Sequence, residues 1–216
     1  MRAACLTVLV SAAMLPGCGG WMETMVFGGP KGQLAIEADR PAGGEPVAGR
    51  FETAVYAADD AQTLHALLID GPADDPRQVV HVRMFWKPMA GKTPFDPSAT
   101  NCSVRYILFD GEEVGFYGGG GLLQPRDRAG EARFSATLRN ATLRLLDATE
   151  GYDSAPVGFN ALAEGRFDAT HDEVRTLRLL RRVSRAVEDR LGYPRMVGSF
   201  AALPGGDEAP PAEPTP

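Results

Sequence analysis

The chain has 216 residues, 44% of them hydrophobic and 23% charged, with 28 acidic side chains against 22 basic ones and a net charge of −6. That length supports one domain, or at most two, with a core large enough to do without a disulfide framework. The acidic balance argues against the basic footprint by which proteins hold nucleic-acid phosphates, so no nucleic-acid partner is expected.

Residues 1–17 have the layout of an export signal. Arg2 supplies a basic start, and Ala3 to Leu15 is apolar apart from Thr7 and Ser11. Such a run suits a secretory signal and falls short of the ~20 residues that cross a bilayer. No later segment reaches that length, so no transmembrane helix is expected. At the end of the run, Leu15-Pro16-Gly17-Cys18 resembles a bacterial lipobox. Leu15, Gly17 and Cys18 match its pattern, whereas Pro16 stands where a small residue such as Ala or Ser is commoner. The resemblance implies cleavage before Cys18, a diacylglyceryl group on its thiol and an acyl chain, such as palmitate, on its new amine. Two or more chains hold a protein stably on a membrane. The residue after the cysteine is Gly19 rather than the aspartate that retains many such lipoproteins in an inner membrane, so the outer membrane is favoured where the cell has one.

Residues 18–31 form a Gly-rich tether that also carries Trp21, Met22, Met25 and Phe27. From residue 32 to 171 the pattern is mostly of period two. Leu34, Ile36 and Ala38 alternate with Gln33 and Glu37, and Phe51, Thr53 and Val55 with Glu52 and Ala54. Val80, Val82, Met84 and Trp86 share one face, with Val79, His81, Arg83 and Phe85 opposite. Val104 to Phe109 is apolar apart from Arg105, Asp110-Gly111 interrupts, and Val114, Phe116 and Tyr117 resume, which predicts a hairpin. Gly118 to Gly121 fits no phosphate-binding motif and predicts a flexible loop or an irregular edge. Phe134, Ala136 and Leu138 keep one parity and Ala141, Leu143 and Leu145 the other, which places a β-bulge at Asn140. A last alternating run goes from Phe159 to Ala169.

The expected fold is therefore mainly β, an antiparallel β-sandwich or partly closed barrel of about eight or nine strands, with one C-terminal amphipathic helix. The helix belongs to a segment spanning residues 172–203. Thr170 and Glu173 have the form of a capping box, Leu177, Leu180, Val183, Val187 and Leu191 make an apolar stripe, and Gly192 ends it. Residues 204–216, rich in Pro, Ala and Glu, are expected to be disordered.

Chemistry-bearing residues are few. Cys5 leaves with the signal and Cys18 carries lipid, so Cys102 stands alone; its parity with Val104 and Tyr106 predicts a buried strand thiol. Pairing the segments around 62–69 and 78–86 with Leu64 opposite Val82 would set His65 opposite His81, a weak candidate pair for a metal that lacks a third ligand. Arg175, Arg178, Arg181, Arg182 and Arg185 fall on the helix arc opposite its apolar stripe. Arg178, Arg181, Arg182 and Arg185 are the candidate interaction face, suited to anionic headgroups, and Asp59-Asp60 and Asp74-Asp75 are acidic pairs that can meet it. Asp70, Asp74 and Asp75 lack the calcium-loop spacing. Asn101-Cys102-Ser103 and Asn140-Ala141-Thr142 match a glycosylation acceptor by chance. No catalytic set, metal centre or cofactor is expected. The function expected is that of a membrane-anchored envelope lipoprotein, a non-enzymatic structural or interaction domain whose partner is an envelope protein. The alternatives are a carrier of a small apolar ligand in a barrel cavity and a hydrolase with a site assembled from distant residues.

Overall fold

The computed structural model describes residues 30–38, 47–60, 62–88 and 99–196. The signal, the lipobox, nearly all of the tether and the C-terminal tail lie outside them. The described residues form nine strands, β1 (Gly32–Ala38), β2 (Val47–Phe51), β3 (Thr53–Ala58), β4 (Leu64–Asp70), β5 (Gln78–Met84), β6 (Cys102–Asp110), β7 (Glu113–Pro125), β8 (Arg133–Ala148) and β9 (Asn160–His171), followed by one helix, α1 (Glu173–Leu191).

All nine strands belong to one sheet, in the order β2-β1-β9-β3-β4-β5-β6-β7-β8, and β9 also pairs with β8. Seven strands, β3 to β9, thus close a ring, on the partly closed side of the sequence expectation rather than that of two stacked sheets. The β1–β2 hairpin is an appendage to β9. β1 occupies Ala161 to Phe167 of β9, which leaves β3 only Thr170 and His171, opposite Val55 and Tyr56. That closing pair is parallel; the other pairings are antiparallel.

The period-two pattern sorts side chains to the two faces of the ring. Inside lie Tyr56, Leu64, Leu68, Val80, Val82, Tyr106, Tyr117, Phe134 and Phe167, each at most 2% exposed. Outside, Val55, Leu67, Ile69, Val79, Ile107, Val114 and Phe116 make a second apolar patch, covered by Leu179, Leu180, Val183 and Val187 of α1 and by Met196. Strands β3 and β4 are buried on both faces for this reason.

Several expectations are sharpened or corrected. Phe51 to Val55 is not one strand: Glu52 separates β2, which pairs with β1, from β3, which pairs with β4. The β6–β7 hairpin forms, with Asp110 opposite Glu113 and Gly111 at φ 59 in the two-residue turn. The glycine run is neither loop nor edge but the middle of β7, between β6 and β8. A Cβ on Gly119 would lie 1.6 Å from the Thr142 carbonyl oxygen, so only glycine allows β8 this close. The β8 bulge falls where the parity switches: the register with β9 shifts between Leu138 and Ala141, and Asn140 adopts φ 48. Phe85 and Trp86 lie beyond the end of β5 and are 43% and 37% exposed rather than facing each other across a strand.

The helix cap is Asp172, whose side chain accepts from the Arg175 N–H at 2.9 Å, and not Thr170. β9 continues through Thr170 and His171 because Tyr56 and Ala132 offer carbonyls to the Asp172 and His171 N–H groups. Thr176 and Leu179 join Leu180, Val183 and Val187 in the buried stripe, which turns Leu177 and Leu191 to its margins. Gly192 closes α1 in the left-handed conformation, φ 80.

Candidate functional site

The only convergence of chemistry-bearing side chains predicted from the strand pattern is the histidine pair, and the two rings do meet. His65 Nδ1 lies 3.0 Å from His81 Nε2, with the rings stacked 7° from parallel and 5.3 Å between centroids. The expected register is wrong by two residues. Leu64 faces Met84 and Ala66 faces Val82, so His65 faces Arg83 and His81 faces Leu67. The rings reach each other diagonally, a separation that aromatic side chains bridge.

Asp59 extends the pair. Its Oδ2 sits 3.3 Å from His65 Nε2. Asp60 places it there by accepting the Gln62 and Thr63 N–H groups at 2.6 and 2.8 Å, an Asx turn that folds the β3–β4 connection back over His65. For neutral rings the polarity follows. His65 Nε2–H donates to Asp59, so His65 Nδ1 is the acceptor, and His81 Nε2–H donates to it. Both histidines are 2% exposed. Desolvation holds His65 below the ordinary imidazole range, with Arg83 and Arg105 acting in the same sense and Asp59 against them. His81 is held well below that range, first by burial and then by His65, Arg105 and Arg83. The pair is thus a neutral, hydrogen-bonded unit on the outer face of the ring. Among the described residues no group of three or more His, Cys, Asp or Glu converges on a point, so no third ligand stands beside the pair.

The second feature is the solvent face of α1. Arg175, Arg178, Arg182 and Arg185 are exposed and Arg181 is half-buried. Arg182 forms an ion pair with Asp74 on the β4–β5 loop. A groove of about 390 Å³ runs between that loop and the first turns of the helix, lined by Ala73, Asp172, Val174, Arg175, Arg178 and Arg182. A second groove, of about 760 Å³, lies on the other side of the same loop, against Pro30, Lys31, Arg50, Glu52, Asp70 and Arg77. In it Arg77 binds Asp70 at 2.6 Å. Asp70 and Asp74 are therefore committed to arginines and not grouped as a calcium site.

Cys102 is fully buried, and its Sγ lies 3.2 Å from the Gly121 carbonyl oxygen. Burial pushes the thiol up to about 12, which makes it a poor nucleophile. Its neighbour Asn101, which looked like no more than a chance glycosylation acceptor, is fully buried. It donates to the Leu123 and Trp86 carbonyls at 2.9 and 3.1 Å and accepts from the Leu123 N–H at 2.6 Å. Asn101 thus ties the start of β6 to β7 and to the chain leaving β5. No spacing signal marks this, because the partners are backbone groups.

No protein-family model, curated protein or solved structure matches the chain.

Proposed function

We propose that the protein is a lipoprotein of the cell envelope, held to a membrane by acyl chains on Cys18, whose β-domain works by contact, as a structural or interaction module, rather than by turnover. The observation that carries this reading is Leu15-Pro16-Gly17-Cys18 at the end of an apolar run opened by Arg2. With Gly19 after the cysteine, the outer membrane is the favoured destination where there is one. Work through the surface is supported by the ring interior, which side chains from all seven strands fill, Tyr56, Tyr106, Tyr117, Phe134 and Phe167 among them. Neither of the two grooves beside the β4–β5 loop is lined by His65 or His81.

Metabolic labelling with a radioactive fatty acid tests the anchor. The wild-type chain takes up label and fractionates with membranes, whereas Cys18→Ala does neither, and globomycin causes the unprocessed precursor to accumulate. Unchanged processing and fractionation in both cases would overturn the reading.

A further inference from the structure

We infer that the arginine face of α1 docks on the anionic phospholipid headgroups of the leaflet that holds the anchor, so that the domain lies against its membrane in one orientation. This rests on the lipid anchor proposed above. The face is basic in a chain whose net charge is −6. Arg175, Arg178 and Arg185 are exposed and make no ion pair within the described residues. Val174, 67% exposed, projects within the same arc, an apolar side chain suited to the headgroup boundary. The acidic residues of α1 are Glu173 in its first turn and Glu188 and Asp189 in its last, and between them every charged side chain is an arginine.

The root of the tether selects this face independently of its charge. β1 opens at Gly32 opposite Phe167, and the Asp168 N–H donates to the Lys31 carbonyl at 2.8 Å. Asp172, the helix cap, is four residues further along the same chain. The path from Pro30 toward Cys18 therefore starts at the end of the domain where α1 begins. The β4–β5 loop joins the two places: Asp70 and Arg77 border Pro30 and Lys31 on one side, and Ala73 and Asp74 meet Arg175, Arg178 and Arg182 on the other. Residues 19–29 span at most about 40 Å when fully extended. A tether that short turns a weak headgroup contact into an intramolecular one at high effective concentration. The acidic remainder of the domain is repelled by an anionic leaflet, which leaves a single favourable orientation.

The test is amide hydrogen exchange on the protein as cells make it, reconstituted into vesicles of phosphatidylcholine alone or with about one third phosphatidylglycerol. Docking slows exchange across α1 on the anionic vesicles and not on the neutral ones. Each arginine-to-glutamine change lowers the docked fraction relative to the undocked by about fivefold, so the triple variant Arg175→Gln/Arg178→Gln/Arg185→Gln loses about a hundredfold. Its thermal unfolding, which those exposed side chains do not govern, stays that of the wild type. The intact mass reports lipidation of Cys18 separately. If no lipid is found, adding the same protein to preformed vesicles reads the helix face alone. Equal exchange on both vesicle types, or a triple variant that docks like the wild type, would overturn the proposal and leave the face to solvent or to a protein partner.

Discussion

His65 Nδ1 and His81 Nε2 are 3.0 Å apart although neither residue is the other's cross-strand partner. The pair is buried, so its folded form excludes protons that the unfolded chain accepts. Both folded-state pKa values lie below the ordinary imidazole value near 6.5. At neutral pH both states are uncharged at these positions and nothing is lost. As pH falls below about 6.5, the unfolded chain protonates first, and stability drops by up to about 1.4 kcal/mol per pH unit for each imidazole that stays neutral. The expected result is a urea midpoint that declines between pH 6.5 and 5, before most carboxylates titrate. His81→Gln reduces that decline by about half. A wild-type midpoint constant over the interval would contradict the account.

Gly119 has no room for a side chain. Its Cβ would strike the Thr142 carbonyl, which belongs to a strand that cannot withdraw without breaking the β7–β8 pairing. Gly119→Ala is expected to cost more than about 3 kcal/mol. Gly111→Ala meets nothing within 4 Å and suffers only its positive φ, about 1 kcal/mol. Chemical denaturation of the two variants side by side measures the difference.

Asn101 satisfies three backbone groups with one amide. Asn101→Leu keeps the branched shape of the side chain and leaves the Leu123 N–H and carbonyl buried without partners. At about 1–3 kcal/mol for each unsatisfied group, a loss of about 3 kcal/mol is expected in equilibrium unfolding. Asn101→Asp sets a buried carboxyl group against the Leu123 and Trp86 carbonyls, so it must take up a proton to fit and its loss of stability is expected to grow as pH rises.

Cys102 resists modification while the protein is folded. With the thiol pushed up to about 12 and no exposed surface, almost no thiolate is present at pH 8. Iodoacetamide should label it only at the rate of unfolding, and labelling should become complete in denaturant. Rapid labelling of the native protein would show that the β6–β7 region opens locally.

Much of the strand layout was legible because period two is a strong signal: strand faces, the β6–β7 hairpin and the bulge at Asn140 all follow from side-chain parity. Parity also has a blind spot. It detects a slip of one residue, which exchanges core for surface, but not a slip of two, which keeps every side chain on its face. The β4–β5 register was missed by two for that reason, and the histidines met anyway because they share a face. Asp59 was not legible as their partner, since it reaches His65 through the turn built by Asp60. Glu52 splits two strands because β2 and β3 pair with different neighbours, and Asp172 caps α1 in place of Thr170 because Tyr56 and Ala132 offer carbonyls that prolong β9; both are tertiary facts. The pairing foreseen between Asp74-Asp75 and the arginine stripe exists as Arg182 with Asp74.

The short junction of β3 with β9 follows from counting. Each antiparallel neighbour reverses direction, and a circuit must return to the direction it began with. A closed ring therefore needs an even number of reversals, and seven strands joined only by reversals cannot close. One junction has to run the other way, and here it is the one between Val55-Tyr56 and Thr170-His171. Parallel pairs are the weaker kind, and this one spans two residues. α1 starts at that point: Asp172 donates its N–H to the Tyr56 carbonyl, and the helix then packs over β3. The helix is thus a clasp on the one place where arithmetic denies the sheet a strong closure.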